Sequence, residues 1–333
     1  MGIIKIGTSK KGTIKLKIMI VSLFFISIVC GTVLQVYGQD EKEKNDSSVI
    51  EIVENTQGAD VTDGGYNSSN TNDEKKDNDD SVDKNEDTNK TKDDDETEYI
   101  SLENDIYASD SKIIEDKINK WNFINEDNKK VAYLTFDDGP SATITPQILD
   151  VLKKNNVKAT FFVLGSEVEK SEEQKEMLKR IVREGNAVGN HGYSHRYDIL
   201  YPNRVADPQA FMNDIKKSEA VLKSVLGEDF NTRVLRMPGG HASWDTKALD
   251  EVLEREGYTY VDWNSLNGDA EENNRSEEEL IGELKQTVSD LEGNNDTLVV
   301  LMHDKVGKEN TAKTLQEAID YLKSLGYEFK TLK

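Results

Sequence analysis

From residue 131 to the end of the chain, short runs of apolar residues alternate with amphipathic stretches. The first, VAYLTFDD, is a β-branched and aromatic strand pattern that Gly139 and Pro140 bring to a stop. A helix is predicted over 145–156, a strand over 159–164 and a helix over 172–183. Strands over 187–190, 233–237, 258–263 and 298–302 follow, separated by helices over 207–226, 245–256 and 276–291. A helix over 311–325 and a short strand over 327–332 complete the series. Repeated βα units imply a parallel sheet. Seven or so strands of this length predict an α/β fold, a distorted (β/α) barrel of about seven parallel strands, closed or nearly so.

The pattern is different ahead of residue 131. Lys5, Lys10, Lys11, Lys15 and Lys17 precede an uncharged apolar run, 18–38, about long enough to cross a bilayer as a helix with the lysines on the cytoplasmic side. A cleaved signal ending near Gly38 is the alternative; the length of the run favours a retained anchor. Residues 39–98 are acidic and polar with scarcely a large apolar side chain, so burial cannot offset the entropy of ordering them, and a disordered linker over 39–108 is expected. Its reach is on the order of 40–50 Å. Residues 109–121 have helical spacing and form a segment that packs ahead of the domain.

Charge and cysteine narrow the possibilities. The formal net charge is -22, of which the acidic tract carries roughly -14, so the folded part has no basic stripe for nucleic acid. No glycine-rich phosphate fingerprint follows any strand, which argues against a nucleotide cofactor. The single cysteine, Cys30, lies in the apolar run. An exported domain without disulfides is held by its core, and any metal site must use His, Asp or Glu.

Candidate chemistry collects at the strand ends. Asp137 and Asp138 sit at the C-terminal tip of the first strand, where α/β folds build their sites. Adjacent residues point to opposite faces, so one can hold a metal while the other handles a proton. His191 and His195, in NHGYSH, are four apart and with Asp138 make two His and one carboxylate, a set that leaves an ion a position for water. Arg236, in RMPGG, would aim Asp137, and a backbone N–H at Gly239 or Gly240 would stabilise an oxyanion. Trp263 is either core packing or a substrate platform. His303, at the end of VVLMH and beside an aspartate such as Asp262, is a candidate general acid. Asp304 is read as a turn cap and His241 as a loop residue beyond the site.

In order along the chain, TFDDGP, HGYSH, RMPGG, VDW and LMHD resemble the five motifs of the polysaccharide deacetylases, the NodB-homology domains of carbohydrate esterase family four, over about 131–304. The resemblance implies that Asp137 is the general base and that Asp138, His191 and His195 bind one divalent ion, zinc or another transition metal such as cobalt. It further implies that Arg236 positions the base and that His303 is the acid, oriented by Asp262. Trp263 and Leu301 would line the acetyl pocket, with Pro238 and Gly239 also against the substrate. The family often carries an aromatic residue after the proline, where this chain has Gly239, and an acid where it has Thr259.

The resulting expectation is a cytoplasmic segment 1–17, an anchor or signal 18–38, a linker 39–108, a pre-domain segment 109–130 and a catalytic domain 131–333. The domain is expected to be a monomer outside the cytoplasm that removes N-acetyl groups from a cell-wall glycan, first of all the N-acetylglucosamine of peptidoglycan. An anchor and a long spacer suit an insoluble polymer just outside the cell. The alternatives are another acetylated glycan, such as chitooligosaccharide or a xylan ester, a catalytically silent wall-binding module, and an anchored scaffold for a protein partner.

Overall fold

The computed structural model describes residues 105–333 apart from 273. The expected cytoplasmic segment, the anchor and the acidic linker up to residue 104 lie outside the described residues. Among the described residues no helix is long and apolar enough to cross a membrane.

The sheet is built on β2 (Lys130–Asp137), which is buried from Val131 onward. Burial on both faces is why its sequence is a continuous apolar run with no alternation. In chain order the other strands are β1 (Ala108–Ser109), β3 (Thr160–Val163), β4 (Ala187–Asn190), β5 (Val234–Leu235), β6 (Thr259–Tyr260), β7 (Ser265–Leu266), β8 (Thr297–His303), β9 (Tyr327–Phe329) and β10 (Thr331–Leu332). The main sheet runs β6-β5-β4-β3-β2-β8-β7, all parallel. β8 follows β2 from Val131 opposite Thr297 to Asp137 opposite His303. The other edge of β2 is shared, with β9 against Lys130 to Ala132 and β3 against Thr135 to Asp137.

The sheet curls into a half-barrel and not into the closed barrel the strand count suggested. No ladder joins β6 to β7. Parallel neighbours need a crossover of a dozen or more residues, and only 261–264 lie between these two strands. Asn264 bonds to β8 instead, its N–H donating to the Val299 carbonyl at 3.2 Å and its Oδ1 accepting from the Val299 N–H at 2.8 Å.

The helices are α1 (Ser111–Lys120), α2 (Thr145–Asn155), α3 (Gly165–Val168), α4 (Glu172–Arg183), α5 (Tyr197–Leu200), α6 (Pro208–Leu226), α7 (Lys247–Glu256), α8 (Glu277–Ser289) and α9 (Glu309–Ser324). Side chains alternate along β2 and β8. Leu134, Phe136, Val300 and Met302 face outward into the main core beneath α2, α4, α6, α8 and α9. Tyr133 and Val299 face the barrel interior with Phe162, Val234 and Val261. Cutting Phe136 back to alanine would cost about 3–5 kcal/mol.

The lower end of the interior is closed by α1, which contributes Ile114, and by the small β1–β10 sheet. Ala108, the last residue of the expected linker, already pairs with Thr331 there. Following the interior face upward from Tyr133 and Val299 leads through Thr135 and Leu301 to Asp137 and His303. The column of inward side chains is apolar below and becomes polar at the tips.

Candidate active site

Asp137 is the last residue of β2, and a buried arginine holds it. Arg236, just past β5, has no exposed surface. Its Nη1 donates to Asp137 Oδ1 at 2.9 Å and to Thr135 Oγ1 at 2.7 Å, while Nε donates to the Val261 carbonyl at 2.7 Å. The guanidinium lies 4.2 Å from the Phe162 ring centroid. A cation this deep persists only because each side of it is matched, and removing one partner of such a pair typically costs about 3–5 kcal/mol.

The chain turns sharply after Asp137. Asp138 has φ 71°, a left-handed conformation that costs a residue with a Cβ roughly 1–2 kcal/mol. The next position has no room for a side chain, since a Cβ on Gly139 would stand 2.2 Å from Asp304 Oδ2. Asp304 is therefore more than the turn cap expected of it. Its N–H donates to the Asp137 carbonyl at 3.2 Å and its carboxyl accepts from Thr145 Oγ1 at 2.5 Å, so it buttresses the whole turn. Complete burial, with Asp138 and Asp137 adding to it, pushes the Asp304 carboxyl up to about 7.

The turn presents Asp138 to His191 and His195. Both imidazole Nε2 atoms lie 3.4 Å from Asp138 Oδ1, and the three ligand atoms fall within 4.8 Å of one another. That Oδ1 is buried and makes no hydrogen bond. A tetrahedral ion with bonds of ~2.0–2.1 Å separates its ligands by about 3.3–3.4 Å, so the spacing fits a shared ion. His191 Nδ1 is 2.7 Å from the Arg236 carbonyl; a carbonyl only accepts, so Nδ1 carries a proton and Nε2 is the nitrogen turned to the cluster. Burial opposes charge on Asp138, yet the adjacent His191, with His195 and His303 beyond it, holds its carboxyl well below the usual range. Asp138 Oδ2 accepts from Lys305 Nζ at 2.7 Å.

One further group that the sequence left unremarked fixes the loop of the histidines. Asp214, on α6, accepts from the Tyr193 N–H at 2.7 Å and the Ser194 N–H at 3.2 Å, and so pins the loop between the pair. His195 ends that loop at φ 53°, also left-handed.

Facing this cluster, His303 ends β8, and its partner is Asp269. Asp269 Oδ1 is 2.7 Å from His303 Nδ1, while Oδ2 accepts from the His303 N–H at 2.9 Å and from Thr311 Oγ1 at 2.7 Å. The expected partner, Asp262, is elsewhere: its carboxylate accepts from the backbone N–H groups of His241 at 3.0 Å and Ala242 at 3.3 Å. The reason is topological. Asp262 follows β6 at the far edge of the sheet, whereas Asp269 follows β7, which lies against β8. Burial opposes charge on His303, but Asp269 outweighs it and raises the imidazole above its ordinary value. The Asp269 carboxyl is lowered in turn, again against burial.

The remaining expected residues surround this centre. Leu301 is buried on the same face of β8 as His303. The Trp263 ring is 5.7 Å from the Arg236 guanidinium and against Gly240, where a Cβ would meet it at 2.8 Å. Pro238 and Gly239 form the turn above Arg236, the Pro238 carbonyl accepting from Trp244 Nε1 at 2.9 Å. His241 bonds to Asp250 at 2.9 Å and stacks on Tyr260.

The polysaccharide deacetylase family model matches residues 124–261. The chain is 32% identical over 240 residues to YheN, a putative polysaccharide deacetylase of Bacillus subtilis, covering 72% of this chain and 77% of that protein. The chain belongs to the polysaccharide deacetylases. Other members extend the likeness. PgdA of Listeria monocytogenes, a peptidoglycan-N-acetylglucosamine deacetylase, is 35% identical over 205 residues, which span 62% of this chain but 38% of that protein. A carbohydrate esterase family four esterase of Streptococcus mutans has a similar structure, with a TM-score of 0.62 at 37% identity over 68% of this chain and 92% of that one. The family model ends at 261, before both Asp269 and His303, so the imidazole–carboxylate pair lies outside the matched stretch.

Proposed function

We propose that this deacetylase is metal-dependent and removes the acetyl group from N-acetylglucosamine in peptidoglycan. The observation that carries the reading is the buried, unbonded Asp138 Oδ1 with two imidazole nitrogens 3.4 Å from it, one carboxylate away from an arginine-held Asp137. A divalent ion held by Asp138, His191 and His195, zinc or cobalt by the character of these donors, would act as a Lewis acid and bring the pKa of a water toward neutrality.

The chain's own residues do the rest. Asp137, fixed by Arg236, takes the proton of the water that attacks the acetamide carbon. The Gly239 N–H receives the charge that develops on the carbonyl oxygen. His303, held at Nδ1 by Asp269, gives its Nε2 proton to the departing amine as the C–N bond breaks, and acetate is released. Its raised pKa keeps that proton available near neutral pH. Leu301 and Trp263 close the pocket around the methyl group.

Peptidoglycan is chosen because similar chains carry that activity in their names and because the apolar run at 18–38 and the acidic tract suit an anchored enzyme working outside the cell. Acetate release from muropeptides, with chitooligosaccharide and acetylated xylan in parallel, tests the substrate. Asp137→Asn should lower turnover by about 10²–10⁴-fold. Turnover near that of the unaltered protein would remove Asp137 from the role of base.

A further inference from the structure

Gly239 has φ 79°, and the space its side chain would occupy is already taken. A Cβ there would lie 3.1 Å from Trp244 Cζ2 and 3.2 Å from Tyr197 Oη. These two rings come from different segments, Tyr197 from the start of α5 and Trp244 from the turn before α7. Trp244 is fixed on three sides: it stacks on buried Tyr201 at 4.2 Å and 8°, donates to the Pro238 carbonyl, and has the Arg204 guanidinium 5.4 Å from its ring. Tyr197 leans on it at 5.2 Å and on His195 at 5.1 Å. Although it lies between a histidine of the cluster and the position a Gly239 side chain would take, Tyr197 is 43% exposed. The next apolar residue on the same short helix, Ile199, is 48% exposed.

An aromatic ring held rigidly at its back and open at its front, next to the reacting group, is the usual form of a ligand platform. We propose that Tyr197, backed by Trp244, is the surface on which the sugar bearing the scissile acetyl group rests, and that Gly239 is small because this wall comes from the loop after His195. The apolar C–H face of an N-acetylhexosamine ring packs on the tyrosine while its acetamido group reaches Asp137 and the Gly239 N–H. Tyr197 is thus a specificity-determining residue. The proposal rests on the deacetylase reading above.

The test compares the full chain with Tyr197→Ala and Tyr197→Phe on two substrates, an N-acetylglucosamine oligomer and 4-nitrophenyl acetate, which has no sugar. The ratio of kcat/KM for oligomer over aryl acetate should fall about tenfold in Tyr197→Ala, mainly through KM, and return in Tyr197→Phe. An unchanged ratio overturns the platform. So does an equal fall on both substrates with loss of bound zinc, which would make Tyr197 a support for His195. If the unaltered protein turns over neither substrate, the deacetylase reading fails by itself. Calorimetric binding of the oligomer then decides the platform, which stands if Tyr197→Ala binds about tenfold more weakly and falls if the two bind alike or neither binds.

Discussion

Two carboxylate–imidazole groups face each other across the top of the half-barrel, and they are built in opposite ways. Asp269 and His303 are closed on each other at 2.7 Å, and both Asp269 oxygens have hydrogen-bond donors. Asp138 stands 3.4 Å from each of its two imidazoles, and the oxygen facing them is buried without a hydrogen bond. A contact at 2.7 Å holds a proton in place. A gap of 3.4 Å shared by three donors is the width of a coordinated cation. On the proposed mechanism the same residue types serve as a proton donor on one side and an ion site on the other, and the distance between partners sets which.

The comparison breaks most severely at the open group. Asp138→Asn should lose stoichiometric zinc and lower acetate release by at least about 10³-fold, while the His303–Asp269 pair stays intact. Equilibrium metal content and turnover, measured on the same preparation, check this. Retained zinc with lost activity would make Asp138 something other than a ligand.

A second effect sharpens the closed group. If His303 is the acid proposed here, it must be protonated to act, so activity should fall as pH rises through its raised pKa. Asp269→Asn removes the charge that raises it, which moves the alkaline limb of the kcat profile to lower pH and lowers turnover by about 10² at neutral pH. Asp262→Asn should leave that limb where it is. A limb that moved in Asp262→Asn and stood still in Asp269→Asn would restore the partner expected from the sequence.

The smallest effect concerns the floor beneath both. Asp304 has a raised carboxyl, so its share of stability is full at low pH, below the ordinary carboxylate value of about 3.9, and is lost as pH rises through about 7. Asp304→Asn keeps an acceptor for Thr145 and cannot ionise. In chelator, its urea midpoint should gain on that of the unaltered protein between pH 5 and pH 8. A constant difference would mean that Asp304 is already ionised in the fold at pH 5, with no raised carboxyl.

Much of this arrangement is legible in the chain because the residues that matter end long, buried strands. β2 and β8 are continuous apolar runs, so Asp137, Asp138 and His303 stand out at their tips, and α6 and α9 carry clear amphipathic periods. β7 has two residues between Asn264 and Asn267, too few to show any period, and missing it concealed Asp269. The break between β6 and β7 was hidden for the same reason. Lys305 and Asp214 reach the site through tertiary packing that no local pattern records. The stretch predicted as one strand over 327–332 divides at Lys330, because its first half pairs with β2 and its second with β1.

Anomalous diffraction at the zinc absorption edge, from crystals of the chain grown with zinc, tests the central claim most directly. The account predicts one peak within bonding distance, about 2.0–2.2 Å, of an Asp138 oxygen and of Nε2 on both His191 and His195. No peak at that point, or a peak that leaves Asp138 uncoordinated, would contradict it.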